Sequence, residues 1–184
     1  THRAKRKKNL SKSLLDQIQN YFGDGSDFGV SIEYVVENKP LGTAGGLSLL
    51  NMSNKNYSSI IVTNGDVVGN VDYKDMLQYH QKQQAFATMA VQQHQVINEF
   101  GTVEISGNMI TGFKEKPITR STINAGIYVL SNKALELLTK GNKKNMPDLF
   151  MDAVDLKHRI VAYYLFEEWN DVGRLSDLKR VNKV

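Results

Sequence analysis

Short apolar runs alternate with amphipathic stretches along this 184-residue chain, and no other feature limits its fold so tightly. Residues 13–20 read as a helix: Leu14, Leu15, Ile18, Tyr21 and Phe22 share a face, Ser13 and Asp16 resemble a capping box, and Gly23 supplies a stop. Val30, Ile32, Tyr34 and Val36 alternate as a strand. Leu47, Leu49 and Leu50 predict a short helix after a glycine-rich loop. The run SIIVT at 59–63 reads as a strand buried on both faces. Asp72 is placed to cap a helix that ends near residue 84. Residues 86–91, 125–130 and 160–166 read as strands, and 103–105 with 109–113 as a hairpin around Gly107-Asn108. Residues 133–139, 147–157 and 175–181 read as helices, with Pro147 at a permitted first-turn position. Strands alternating with helices predict an α/β domain, a mostly parallel sheet covered on both faces.

Several classes of protein are excluded at once. A chain of this length buries roughly 70% of its unfolded surface and needs no covalent staple. Cysteine is absent, which removes disulfides, thiolate catalysis and cysteine-based metal sites. No apolar run approaches the ~20 residues of a membrane span, and no apolar segment follows the basic start as in a secretory signal, so a cytoplasmic location is expected. The net charge of +4 is local in origin. Arg3, Lys5, Arg6, Lys7, Lys8 and Lys12 lie in the first twelve residues with no acid among them, and the rest of the chain is slightly acidic. That cluster holds no aromatic for stacking on bases and does not read as a nucleic-acid face. It reads as a solvated helix start or loop, with a polyanion contact as the alternative.

In a sheet of this kind ligands sit beyond the carboxyl ends of the strands. After SIIVT comes Asn64-Gly65-Asp66, and after the 160–166 strand comes Glu167-Glu168-Trp169-Asn170-Asp171-Val172-Gly173. Each places an aspartate just past a strand beside a glycine that permits close approach. Two such carboxylates meeting in one cleft would suit a magnesium ion bound to phosphates, although either alone serves equally as a cap for the next turn. In Phe113-Lys114-Glu115-Lys116-Pro117, Lys116 is a candidate anion contact on a turn stiffened by proline, or part of a solvated loop. Pro40-Leu41-Gly42-Thr43-Ala44-Gly45-Gly46 is a glycine-rich turn opening a helix, able to bring backbone N–H groups near a ligand. It lacks the lysine of a Walker A loop and the spacing of a dinucleotide fingerprint. His2, His80, His94 and His158 show no metal-ligand spacing and read as surface or core histidines.

Taken in order, these pieces resemble the sugar-phosphate nucleotidyltransferases, also called nucleoside-diphosphate-sugar pyrophosphorylases. The strings are YFGDGSDFGVSIEYVVE, PLGTAGGL, IIVTNGD, FGTVEI, FKEKP, NAGIYVL, MPDLF and WNDVGRLSDLKRVN, running from about residue 21 to the last residue. MPDLF and W-x-D-V-G-R point to the mannose-1-phosphate guanylyltransferase-like branch. The resemblance implies a Rossmann-like three-layer α/β/α domain over residues 1–184, working with Mg2+ on a sugar 1-phosphate and a nucleoside triphosphate. It implies that Asp66 and Asp171 hold the metal and that Lys116, catalytic with them, meets the sugar phosphate. Glu115 would hold sugar hydroxyls, and Gly101, Asn124 and Gly126 would make further sugar contacts. Glu37, Gly42 and Thr43 would lie around the nucleotide base, with Gly65 beside Asp66.

One part of the family pattern has no match: the opening strand with an arginine-containing glycine-rich loop, and a later lysine, which grip the triphosphate. The expectation is a domain truncated at its N-terminal side, with the basic segment 1–12 poorly ordered, inactive alone and prone to self-association through an open sheet edge. A carboxylate at Glu37 is acceptor-only and suits the adjacent donors of guanine, which favours GTP. The product would be a nucleotide sugar for surface polysaccharide or glycan synthesis. The rival reading is a non-catalytic sugar-phosphate-binding or regulatory module of the same fold. A glycosyltransferase is ranked lower, because Asp66 is followed by Val67-Val68 and not by a D-x-D motif.

Overall fold

The structure, a computed structural model, describes residues 12–50 and 57–173. Most of the expected basic segment and the expected helix at 175–181 lie outside the described residues. The chain enters through helix α1 (Lys12–Phe22), which begins one residue before the anticipated Ser13 cap. Gly23, at φ +51°, ends it as expected. A 3-10 turn (Ser26–Phe28) folds the chain back so that Tyr21, Phe22 and Phe28 cluster, with ring centroids 4.8 to 6.0 Å apart.

Residues 31–37 do not form the expected strand. The alternation is present, but a strand needs a hydrogen-bonded neighbour, and among the described residues none lies alongside. The next helix, α2 (Gly42–Gly45), starts inside the glycine-rich stretch and passes into a 3-10 turn (Gly46–Leu49).

The main sheet has strands β1 (Ser59–Thr63), β3 (Ala87–Ile97), β6 (Ile118–Ser131) and β7 (Ile160–Tyr164), in the order β1-β6-β3-β7. β6 pairs antiparallel with both β1 and β3, while β3 and β7 pair in parallel. Three of the four strands therefore point one way and β6 is reversed between them, a mixed sheet with the expected prevailing direction. β6 alternates in its buried half. Tyr128 and Leu130 enter one core with Ala44, Leu47, Met146, Leu149 and Phe150. Ala125, Ile127 and Val129 enter the other with Val71, Met76 and Leu165. Helices α4 (Asn132–Leu135) and α5 (Met146–Asp155) join α2 on the first face, and α3 (Tyr73–Lys82) covers the second. These are the three layers.

Local chemistry sets the helix ends. Asp72 accepts from the Asp75 N–H at 2.9 Å, the expected cap of α3. Asn145 and Asp148 form a capping box at α5, with Pro147 in its first turn. β1 departs from expectation: Val62 is buried but Ile61 is 37% exposed, because β1 is an edge strand in the described residues. β3 and β6 continue beyond the sheet as a two-stranded arm, Gln92–Ile97 paired with Ile118–Ile123. The arm carries the expected hairpin, β4 (Thr102–Ser106) and β5 (Met109–Lys114). No helix among the described residues is long and apolar enough to cross a membrane.

His80 on α3 is 3% exposed; its Nδ1 lies 2.8 Å from Thr88 Oγ1 and its Nε2 3.2 Å from Ser59 Oγ. Burial holds its pKa below the usual 6.5. The unfolded chain therefore takes up this proton at a higher pH than the folded one. The contribution is complete above about pH 6.5 and is lost as the pH falls below it. Between pH 7.5 and 5.5 the melting temperature should drop, and His80→Gln should flatten that drop; an unchanged slope would refute the assignment.

The glycine-rich turn gives a second test. Gly42 has φ +85°, and a Cβ there would overlap the Lys144 carbonyl, whereas Gly23 has open space around it. Gly23→Ala should cost about 1 kcal/mol for its left-handed backbone. Gly42→Ala should cost clearly more, roughly 2 kcal/mol or above, because overlap adds to the same backbone penalty. Urea midpoints of the two variants decide it.

Candidate active site

The carboxyl ends of β1 and β7 lie at one edge of the sheet, where the aspartates stand. Leaving β1, Asn64 donates its N–H to the Gly126 carbonyl at 2.8 Å, and the chain turns through Gly65 to Asp66. It then forms β2 (Val67–Gly69), antiparallel to β8 (Trp169–Asp171), with Val67 opposite Asp171. The Val172 N–H closes the pair on the Asp66 carbonyl at 2.8 Å.

These two short strands bring the carboxylates together. The position a Cβ on Gly173 would occupy lies 3.0 Å from Asp171 Oδ1 and 3.5 Å from Asp66 Oδ2. The missing side chain at Gly173 therefore leaves a small space that both carboxylates border. The Gly173 N–H donates to Asp171 Oδ1 at 2.9 Å, which fixes that carboxylate's orientation. Both aspartates are exposed. Two hard, anionic oxygen donors in one space suit magnesium, which takes one or two carboxylates and completes its shell with water and phosphate oxygens. No cluster of three or more potential metal-ligating side chains occurs among the described residues, so the donor set matches that sparse arrangement and not an all-protein cage.

A second group sits at the tip of the arm. A side chain on Gly101 would meet Glu115 Oε2 at 3.0 Å, so Gly101 and Glu115 are neighbours. Lys116 is exposed and has φ +42°, directly before Pro117. A non-glycine residue held there stores on the order of 1–3 kcal/mol of backbone strain. The arm rises from the edge that carries the aspartates. From Ile118, two residues beyond Lys116, to Asn124 is six residues of ribbon, roughly 20 Å along the strand. Among the described residues no hydrogen bond or ion pair joins Lys116 to either aspartate.

The remaining expected residues have structural employment. Asn124 Oδ1 accepts from the Gly126 N–H at 2.9 Å, and its amide donates to the Tyr128 hydroxyl at 2.8 Å. Glu37 is 6% exposed, its Oε2 accepting from the Leu41 N–H at 3.1 Å and its Oε1 packed against Gly46. The N–H groups of Ala44 and Gly45 both donate to the Lys144 carbonyl at 3.0 Å, and Thr43 Oγ1 accepts from the Met146 N–H at 2.6 Å. Gly42 and Gly45 thus permit close approach to residues 142–145, and Gly46 close approach to Glu37. Sequence reasoning does not single out Trp169 or Asn64, although both lie inside the family-like strings. Their shared offset of two residues before each aspartate is the available signal.

The nucleotidyl transferase family model matches residues 10–184. The chain is 29% identical to a UTP–glucose-1-phosphate uridylyltransferase of Synechocystis, over 89% of this chain and 47% of that protein. It is 31% identical to a mannose-1-phosphate guanylyltransferase of Mycobacterium tuberculosis, over 86% of this chain and 45% of that protein. It thus spans about half the length of these curated relatives. Among solved structures, HddC from Yersinia pseudotuberculosis superposes with a TM-score of 0.66 at 21% identity, covering 91% of this chain and 73% of that one, which supports the fold. Sequence strings, layered sheet and family match agree, and the chain belongs to the nucleotidyl transferase family.

Proposed function

We propose that this chain forms the metal-binding and sugar-phosphate-binding part of a sugar-phosphate nucleotidyltransferase. The observation that carries the reading is the convergence of Asp66 and Asp171 on the space beside Gly173. In the proposed reaction an oxygen of the sugar 1-phosphate bonds to the α-phosphorus of a nucleoside triphosphate. The bond from that phosphorus to the bridging oxygen breaks, and pyrophosphate leaves. The nucleophile is already an anion, so no general base is required. The obstacle is bringing two anions together, and positioning with charge neutralisation overcomes it.

A magnesium ion, when bound, supplies positive charge against the triphosphate. Asp66 and Asp171 would hold it. Lys116 would offset the sugar phosphate as a point charge, and Glu115 would accept hydrogen bonds from sugar hydroxyls beside the uncluttered backbone of Gly101. The strained backbone at Lys116 supports that role, since such strain gathers where a side chain must be aimed. GTP is the favoured nucleotide, supported by guanylyltransferases of mannose 1-phosphate and of a manno-heptose 1-phosphate among the relatives. The nucleotide sugar so formed would feed glycan or surface polysaccharide synthesis. A non-catalytic sugar-phosphate-binding module of the same fold is the second reading.

Replacing Asp171 by Asn in the active protein should lower turnover by roughly a thousandfold or more, the several kcal/mol that a lost charge-stabilising contact costs. Pyrophosphate release measured with GTP, UTP, dTTP and CTP tests both points. Near-normal turnover in Asp171→Asn overturns the site, and a preference for UTP or dTTP overturns the base. Sugar-phosphate binding without turnover on any of the four identifies the module instead.

A further inference from the structure

We infer that the kink in β6 at Ala125-Gly126 is the device that positions the two aspartates, with Trp169 and Gly126 as its working parts. The inference rests on reading Asp66 and Asp171 as a metal pair. The β3–β6 ladder loses register between Met89 and Val91, and opposite that break Gly126 turns through φ +73°. Such a bulge bends a strand and redirects its polar groups. Here two successive carbonyls of β6 receive the two segments that carry the aspartates. The Ala125 carbonyl accepts from the Trp169 indole N–H at 2.9 Å, and the Gly126 carbonyl accepts from the Asn64 N–H at 2.8 Å.

The spacing is the same on both sides. Asn64 stands two residues before Asp66, and Trp169 two residues before Asp171. Beyond those anchors the segments bind each other through β2 and β8. The path from kink to Asn64, Asp66, Asp171, Trp169 and back is therefore closed, and the kink fixes where its two arms leave the sheet. Asn124 secures the kink from within by accepting the Gly126 N–H. A Cβ at Gly126 would come within 2.7 Å of Asn64 Nδ2 and 3.1 Å of its Cγ, so any larger residue pushes directly on the Asp66 arm. Neither Trp169 nor Gly126 need touch the metal; they are positioning residues.

The probe is Mn2+, titrated into the 184-residue chain and followed by water-proton relaxation, with folding checked by thermal melting. Asp66→Asn and Asp171→Asn should remove the binding. Trp169→Phe keeps an aromatic ring and loses the N–H, and should weaken Mn2+ by roughly tenfold in protein that is still folded, the scale seen when a ligand's supporting contact is lost. Gly126→Ala acts through the other arm and should weaken Mn2+ in the same direction, which decides the matter if Trp169→Phe does not fold. If both aspartate variants lose Mn2+ while Trp169→Phe and Gly126→Ala bind it as the parent does, the positioning role is overturned and the metal pair stands. If Mn2+ binding is absent in the parent or indifferent to the aspartate substitutions, the metal pair fails and the inference fails with it.

Discussion

A strand that has neighbours on both edges and a core on each face cannot slip by one residue without turning both faces inside out. β6 is in that position. β1 and β3 flank it, and Tyr128 and Leu130 face one core while Ala125, Ile127 and Val129 face the other. The register fixed by those five residues sets the height at which β1 ends, where Thr63 lies opposite Ile127. It also fixes the level of β3, and through β3 that of β7, whose last residue pairs with Val91. The loops carrying Asp66 and Asp171 leave the sheet at those two levels. The layer packing and the candidate site are thus one problem solved by one strand.

The second face adds polar ties that hold α3 to the same sheet. His80 bridges Ser59 and Thr88, and the Tyr163 hydroxyl donates to Asp75 Oδ2 at 2.5 Å. Burial first, then that carboxylate, pushes the Tyr163 phenol well above its ordinary value, so it stays a neutral donor. The helix is therefore oriented by fixed hydrogen bonds as well as by Met76, whose side chain is fully buried.

Much of this is legible in the sequence. The 59–63 strand, the cap at Asp72, the hairpin around Gly107-Asn108 and the proline-started helix at 147 are local matters of propensity and turn chemistry, and the structure contains them. The convergence of Asp66 and Asp171 follows from placing both at carboxyl ends of strands running the same way. What is not legible depends on partners. Residues 30–36 alternate like a strand but have no neighbour among the described residues. The purpose of Gly42 cannot be read either, because the group it avoids, the Lys144 carbonyl, is about a hundred residues away in the chain. Glu37 likewise reads as an available acceptor until the fold directs it onto its own loop. The length of β3 and β6 is underestimated because Gln92 to Gln95 and Thr119 to Thr122 carry no apolar period. They are ordered by pairing with each other, as in the bond from Gln93 Nε2 to Thr122 Oγ1.

The chain has a single tryptophan, and that residue is the one clamped onto the kink of β6. Emission excited in the indole band therefore reports on one joint alone, the seat of β8 against the sheet. An unfolding curve followed by that emission would track undocking of the segment that carries Asp171. Circular dichroism would track loss of the sheet and helices as a whole. Coincidence of the two curves would mean that this joint lets go only with everything else, whereas an earlier optical change would mark it as a separately opening unit.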